Sequence, residues 1–419
     1  MEMRRLIEQE RDGYSLARDF YADSDIFEKD IERVFRKQWM LAGHTARIPA
    51  AGDYYLYEIG RDSVIVARGR DGEVAAFHNV CRHRGSRVCL QAEGNTPLFV
   101  CPYHAWTYDL NGSLRGAPYM PDDFDKASSG LKPCAVRVVE GLIFICLSDN
   151  PPDFDQIAES ARPFLKLHGA AEAKLAVRRS YPTNANWKLV VDNFQECYHC
   201  APSHKLYSTA HSRDKLLASG AGPGSGPADA MERYSHEYSA FQEKARAAGT
   251  WLDPVVQSDS PNKIWSMARH PIRTGAVTES ADGAPVSRLM GQFKEFDGGQ
   301  SGSVFNLFSY FLANNDHFVL LRFTPRDAMN TDVEFMWFVA PDAQEGRDYD
   351  VDKLVQVWDV TTMEDKTITE DNQAGVLDGA YEPGPFSLLE GRLAMIKRWY
   401  LEHLEDGEPA AQSDLVLAK

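Results

Sequence analysis

Residues 81–104 read CRHRGSRVCLQAEGNTPLFVCPYH. The stretch pairs Cys81-x-His83 with Cys101-x-x-His104, and residues 84–100 lie between the halves. Two thiols and two imidazoles in this arrangement suit a metal site. Each half sets a soft sulfur next to a nitrogen, so two elements can wrap one centre from both sides. The donor set fits zinc, or a [2Fe–2S] cluster in which two His replace two Cys on one iron. Spacing alone leaves both open.

The sequence around this stretch has strand character. Tyr54-Leu56-Glu58, Ser63–Val66 and Val74–Phe77 are short β-prone runs, separated by turn signals at Gly60-Arg61-Asp62 and Asp71-Gly72. Leu98–Val100, Thr107-Tyr108, Ala135–Val139 and Leu142–Leu147 continue the pattern, and Asp109–Gly112 closes a hairpin. Residues 41–150 are therefore expected to form a small all-β domain that carries the Cys/His site on two loop tips. Rigid strands fix ligand geometry better than free loops do.

Composition narrows the class. The chain has 419 residues, 43% hydrophobic and 25% charged, with a net charge of −16. That is room for two or three domains and a large core. No basic stripe is present, which argues against nucleic-acid binding. The N-terminal MEMRRLIEQERDG lacks the apolar core of a secretory leader, and no apolar run is long enough to span a membrane. Seven cysteines do not make a disulfide scaffold, so a cytoplasmic protein with reduced thiols is expected.

Residues 1–40 read as an N-terminal helical segment packing with the domain that follows residue 150. Ser24-Asp25 is placed to cap a helix from Ile26 to about Trp39. Pro151-Pro152 marks a boundary, and residues 151–419 form the remaining domain. Helices are expected over 153–170, from Asn184 to about Cys200, over 350–372, and over 386–405. Strands are expected over 176–182, 303–324 and 331–340. The stretch 211–260 is Gly/Ser/Ala-rich and charged, with 218–228 as a flexible loop.

A second constellation lies at 192–204, DNFQECYHCAPSH. Asn193, Glu196 and His199 are spaced by three, which puts them on one face of a continuous helix. Pro202 should end that helix, and His204 can then fold back toward His199. Two imidazoles and one carboxylate from elsewhere make a facial triad for non-haem Fe(II), with positions left open for O₂ and substrate. Glu364 and Asp365 offer that carboxylate. Neighbours on a helix point about 100° apart, so only one of them should face the metal. Taken alone, the His pair reads better as unpaired surface histidines than as metal ligands.

Together the two motifs resemble the α subunit of Rieske non-haem iron oxygenases. Cys81-x-His83 … Cys101-x-x-His104-Ala105-Trp106 resembles that family's cluster motif. Asn193-x-x-Glu196-x-x-His199-x4-His204 resembles its mononuclear iron motif, and the helix around Glu364-Asp365 resembles the one carrying its aspartate ligand. Closer resemblance is to the oxygenases of quaternary ammonium compounds, the glycine betaine and proline betaine (stachydrine) demethylases. FHNVCRHRGSRVC (77–89), ANWKLVVDNFQECYHCAPSH (185–204) and YDVDKLVQVWDVT (349–361) carry it, with Glu196 where many ring-hydroxylating members have Asp.

The resemblance implies an α+β chain: an all-β Rieske domain and a helix-grip, START-like catalytic domain with an antiparallel sheet. It implies a [2Fe–2S] cluster on Cys81, Cys101, His83 and His104, and mononuclear Fe(II) on His199, His204 and Asp365. Glu196 would link a cluster His to an iron His across the subunits of a homotrimer, and Asn193 would line the iron cavity. O₂ would be the oxidant. NAD(P)H would supply electrons through a separate flavin/iron–sulfur reductase. The implied reaction is N-methyl hydroxylation of a betaine-like small molecule, with loss of formaldehyde. Aromatic ring dihydroxylation is the alternative in the same class, and an electron-transfer or zinc-binding module the alternative in another.

A quaternary ammonium head calls for aromatic faces. Candidates near the second motif are Phe194, Tyr198 and Tyr207. Farther along are Trp251, Trp265, Phe305, Phe308, Tyr310 and Phe311, and those in 303–311 alternate as on one strand with one face toward the cavity. A carboxylate on the substrate would also want a basic or amide anchor, which the sequence does not locate. Cys197-x-x-Cys200 resembles a redox pair but lies inside the iron motif, so buried thiols are expected. Cys89, Cys134 and Cys146 are expected to be packing thiols.

Overall fold

A computed structural model describes residues 2–219, 227–257 and 265–405. Most of the 218–228 stretch expected to be a loop lies outside the described residues. The chain divides into two compact units, Phe35–Ala158 and Met1–Val34 with Glu159–Lys419. Among the described residues, no helix is long and apolar enough to cross a membrane.

The smaller unit consists of antiparallel sheets. One has the order Val74–His78, Asp62–Arg68, Asp53–Ile59, Glu93–Asn95. A three-stranded sheet of Phe99–Val100, Thr107–Tyr108 and Leu114–Gly116 follows, and another joins Met40–His44, Leu142–Cys146 and Ala135–Val139. Ile65, Phe77, Phe99, Trp106 and Tyr108 share one core with Cys81 and Cys101. Cys81 and Cys101 thus root the two loops in the core, while Arg84, Gly85, Tyr103 and Ala105 at their tips are exposed. Gly112 sits at φ +82, and a Cβ there would come 2.3 Å from the Phe77 ring, so this turn needs glycine on two counts.

The larger unit is built on a seven-stranded antiparallel sheet. Its order is Lys174–Thr183, Asn330–Val339, Phe318–Asp327, Ser309–Ala313, Gly299–Phe305, Trp265–Pro271, Val255–Gln257. Helix Val351–Leu377 packs on it. Asp350 caps this helix by accepting from the Lys353 amide at 3.0 Å. Leu354, Val355, Trp358, Thr361 and Thr362 line its buried face at helical spacing.

Several expectations need correction. The helix expected from Ile26 to about Trp39 is capped by Asp23, covers only Ser24–Lys29, and continues as a π-turn and a 3₁₀ turn. Asp30 explains the change of winding. It is fully buried and accepts from Trp187 Nε1 at 2.9 Å, Tyr400 Oη at 2.7 Å and Lys188 Nζ. The 211–260 stretch is not one long loop: Ala228–Ala247 is a twenty-residue helix. Residues 303–311 are not one strand. Asn306 and Leu307 have φ of 60° and 67°, and the chain turns there so that Phe305 pairs with Ser309.

The Asp30 network ties the N-terminal segment to helix Gly391–Leu404 and to helix Trp187–Gln195. Removing the cation would leave a buried carboxylate unpaired. Lys188→Met is therefore expected to cost about 3–5 kcal/mol, read as a fall in Tm of the larger unit by calorimetry. An unchanged Tm would count against this anchor.

Candidate metal centres and their surroundings

The two loops of the 81–104 stretch have matching backbones. The Cys81 amide donates to Ser86 O and the Gly85 amide to Cys81 O, at 2.8 and 3.0 Å. The Cys101 amide donates to Trp106 O and the Ala105 amide to Cys101 O, at the same two distances. The fifth residue of each loop is left-handed, Gly85 at φ 79° and Ala105 at φ 56°. Ala105 holds this conformation at a cost of about 1 kcal/mol. The reward is two tight turns presenting four donors to one point.

At that point His83 Nδ1 and His104 Nδ1 face each other at 3.2 Å. Trp106 stacks on His83, centroids 4.9 Å apart and planes 8° apart, and Tyr103 lies against His104. Tyr108 Oη lies 3.2 Å from Cys81 Sγ. Burial, with Cys101 beside it, holds the metal-free Cys81 thiol above its usual pKa. Arg84 reaches the Tyr103 hydroxyl and Arg87 pairs with Glu58.

The second site begins where helix Trp187–Gln195 stops. Sequence spacing extends that helix to about Cys200, but Glu196 is extended at φ −131°, ψ 165°. Its carboxylate turns back to accept from the Tyr198 and His199 amides and from His199 Nδ1, the last at 2.5 Å. Local capping by this side chain wins over helix propagation. Asn193, Glu196 and His199 therefore do not share a helix face. Pro202 is not the breaker either, since it falls within the short helix Cys200–Ser203. Cys197 and Cys200 are joined as a disulfide rather than free thiols. The turn brings their Cα atoms to 4.9 Å, inside the range a disulfide needs. Cys89, Cys134 and Cys146 are free and buried.

The turn delivers both imidazoles to one carboxylate. Asp365 Oδ1 lies 2.9 Å from His204 Nε2 and 3.4 Å from His199 Nε2. One donor atom from each of the three residues lies within 4.8 Å of the others. Glu364 does not compete for the metal side. Its Oε2 lies 2.9 Å from His204 Nδ1, the opposite ring nitrogen. Each imidazole is thus held at Nδ1 by a glutamate and turned with Nε2 toward Asp365. The Asn193 amide lies 3.5 Å from His199 Nε2.

Two family descriptions cover these two sites. "Rieske [2Fe-2S] domain" matches residues 38–136, and "Ring hydroxylating alpha subunit (catalytic domain)" matches residues 171–406. The chain belongs to the Rieske oxygenase α-subunit family. It is 37% identical over 402 residues to the glycine betaine monooxygenase oxygenase subunit of Pseudomonas aeruginosa, covering 94% of this chain and 89% of that one. It is 36% identical to the protein of that name from Chromohalobacter salexigens, covering 91% and 84%. In fold it is similar to a quaternary ammonium Rieske monooxygenase, with a TM-score of 0.71 at 23% identity, covering 95% of this chain and 98% of the other.

The donors of this Rieske oxygenase chain fit the groups its family carries. Two thiols and two facing Nδ1 atoms suit a cluster with one sulfur-held and one imidazole-held iron. Two imidazoles and one carboxylate suit a mononuclear Fe(II) with open positions.

The aromatic candidates separate by position. Tyr207 is partly buried, its ring 6.4 Å from that of His204, 4.2 Å from His211 and 5.4 Å from Trp358. Phe194 lines a small cleft with Asn193 and Asp365 and packs on Tyr310 and Trp358. Tyr198 is exposed. Phe308 packs on Trp187 and Trp399, Phe311 on His168 and Phe318, and Trp251 on Tyr238 and Phe241. Trp265 and Phe305 are buried on paired strands. Trp358 was not among the candidates. It stands seven residues before Asp365 on the same helix, a spacing of two turns that places both on one face.

The charges around His199, His204 and Asp365 set a pH dependence. Burial opposes protonation of His199, but Asp365 and Glu196 outweigh it and hold the metal-free imidazole up at about 9. His204 is raised as well, mainly by Asp365 acting against burial. A raised imidazole contributes stability that is full below its ordinary value of 6.5 and is lost as pH rises through about 9. Metal needs the neutral ring, so binding must release that proton. Fe(II) affinity, measured anaerobically, is expected to rise with pH between about 6 and 9, with proton release detectable in weak buffer. A pH-independent affinity would contradict this electrostatic picture. Glu364→Gln is expected to weaken mononuclear iron binding by about 10–100-fold, while cluster absorbance stays at the wild-type level.

Proposed function

We propose that this chain is the terminal oxygenase of a Rieske system that hydroxylates an N-methyl group of a quaternary ammonium substrate. The observation that carries this reading is the likeness to glycine betaine monooxygenase oxygenase subunits across nearly the whole chain. Two donor sets of the required chemistry and aromatic rings beside the iron donors support it. Cys81, Cys101, His83 and His104 would hold the cluster, and His199, His204 and Asp365 the mononuclear iron. When bound, these groups supply electron transfer and O₂ activation.

The chain's own residues do the positioning. Glu196 and Glu364 fix the iron-side imidazoles through Nδ1. In a homotrimer Glu196 would also reach a cluster histidine of a neighbouring subunit. Tyr207, Phe194 and Trp358 present ring faces that attract a cationic head, each worth about 0.5–2 kcal/mol.

The reaction balances with one O₂, two electrons and two protons per methyl group. One oxygen atom enters a C–H bond and the other leaves as water. The resulting carbinolamine breaks its C–N bond, the nitrogen keeps the electron pair, and formaldehyde and a proton depart. A flavin/iron–sulfur reductase would draw the electrons from NAD(P)H.

Purified oxygenase with a compatible reductase should consume O₂ and release formaldehyde in equal amounts from glycine betaine or stachydrine. About three irons per chain and a Rieske-type EPR signal are expected. Zinc in place of iron, or cis-diols from aromatic hydrocarbons with no formaldehyde from any quaternary amine, would overturn the reading.

A further inference from the structure

A group of charged and polar side chains lies past Tyr207 and serves neither donor set. Tyr207 stands between it and the iron donors, close to His204 on one side and His211 on the other. Glu279 is buried. Its Oε2 accepts from Trp358 Nε1 at 2.7 Å, and its Oε1 lies 2.9 Å from His211 Nε2. Lys215 Nζ donates to Gln300 Oε1 at 3.2 Å. Lys215 and Glu279 also feel each other's charge.

Hydrogen bonding here is incomplete. His211 Nε2, Glu279 Oε1 and Gln300 Nε2 are buried with no well-aligned hydrogen bond; His211 Nε2 lies 2.9 Å from Glu279 Oε1, and Gln300 interacts with the same carboxylate. An ammonium can donate three hydrogen bonds, and among the described residues Lys215 makes one, to the neutral amide of Gln300. Burial brings the Lys215 ammonium down to about 8 against the pull of Glu279 and Glu237. Native interiors leave few polar atoms unpaired, because each costs about 1–3 kcal/mol. Several together, next to a catalytic centre, are what a site looks like when its polar partner has yet to arrive.

The chemistry of that partner follows from the order of groups. Nearest the iron donors are ring faces and a carboxylate, which suit a cation. Beyond them are an ammonium and an amide N–H, which suit a carboxylate. We propose that Lys215 and Gln300 bind the carboxylate of a zwitterionic quaternary amine whose cationic head rests against Tyr207, Trp358 and Glu279. The inference rests on the quaternary-ammonium reading above and narrows it to betaines. A zwitterion answers both charges at once, whereas a plain cation such as choline leaves Lys215 unanswered. Lys215 and Gln300 are thereby specificity residues, and neither touches the metal donors.

The test compares glycine betaine with choline and with betaine amide, using holo-oxygenase, reductase and formaldehyde release. In the wild type kcat/KM should favour glycine betaine over both analogues by at least about tenfold. Lys215→Met should lower the betaine-to-choline ratio by at least about tenfold, mainly through KM, and Lys215→Arg should keep more of the ratio than Lys215→Met. Iron content and the cluster spectrum report whether each variant is assembled. If Lys215→Met does not assemble, the wild-type preference for betaine over its amide decides. A wild type that demethylates choline or betaine amide as well as betaine overturns the zwitterion site while leaving the demethylase reading intact. So does an assembled Lys215→Met with an unchanged ratio. A fully metallated wild type inactive on every quaternary amine overturns both.

Discussion

One carboxylate oxygen, Asp365 Oδ1, meets two imidazole nitrogens that lie about 160 residues earlier in the chain. Asp365 is largely buried, and burial alone would push its carboxyl up; the two imidazoles outweigh that and hold it below its usual range. The same charges stabilise the rings in their protonated form when no metal is present. The site is therefore electrostatically balanced before metal binds, and metal exchanges with protons rather than entering an unpaired acidic hole. Glu196 and Glu364 occupy the far nitrogens, so neither ring can flip without losing a charge-assisted hydrogen bond.

This balance depends on where one short helix starts and stops. Helix Trp187–Gln195 begins at Asn186, whose side chain accepts from the Lys188 amide and donates to Ala328 O. Its first two residues, Trp187 and Lys188, are both pinned to Asp30. Its last, Gln195, donates to the Tyr310 hydroxyl. A helix held at both ends gives Glu196 a fixed origin, and the capping turn that follows sets His199. The N-terminal segment thus contributes to the iron site without touching it, through a buried acid that orients the helix before the turn.

What could be read from sequence were contacts encoded by spacing. The Cys/His halves, His199 with His204, and the strands of the small unit all depend on residues a few positions apart. The misreadings arose where a side chain overrode a backbone propensity. Glu196 ends a helix that its neighbours would continue, and Asn306 with Leu307 reverses a run that alternation reads as one strand. The Glu364 contact was hidden for a related reason. Helical geometry separates adjacent side chains by about 100°, which rules out two ligands on one metal but allows two contacts to opposite nitrogens of one ring. Trp358 was legible from its two-turn offset to Asp365. Glu279, Lys215 and Gln300 were not, because they converge on Tyr207 from three distant segments and carry no local pattern.

Buried charge is common in the catalytic unit, so it does not mark function by itself; the quality of its pairing does. Arg269 is fully buried, yet Nη1 and Nη2 both reach Asp297, with Thr250 O as a further acceptor for Nη1. Lys188 has Asp30. Lys397 has Glu10 and the carbonyls of Arg11 and Tyr14. Each of these cations has an anion in contact and holds two segments together, as a structural ion pair must to offset its desolvation. Arg322, the other buried cation among the described residues, has Glu334 at 3.2 Å. Among the described residues, Lys215 has no carboxylate in contact and bonds to a neutral amide. Lys215, half-buried beside Gln300, keeps donor capacity that the proposed carboxylate would use.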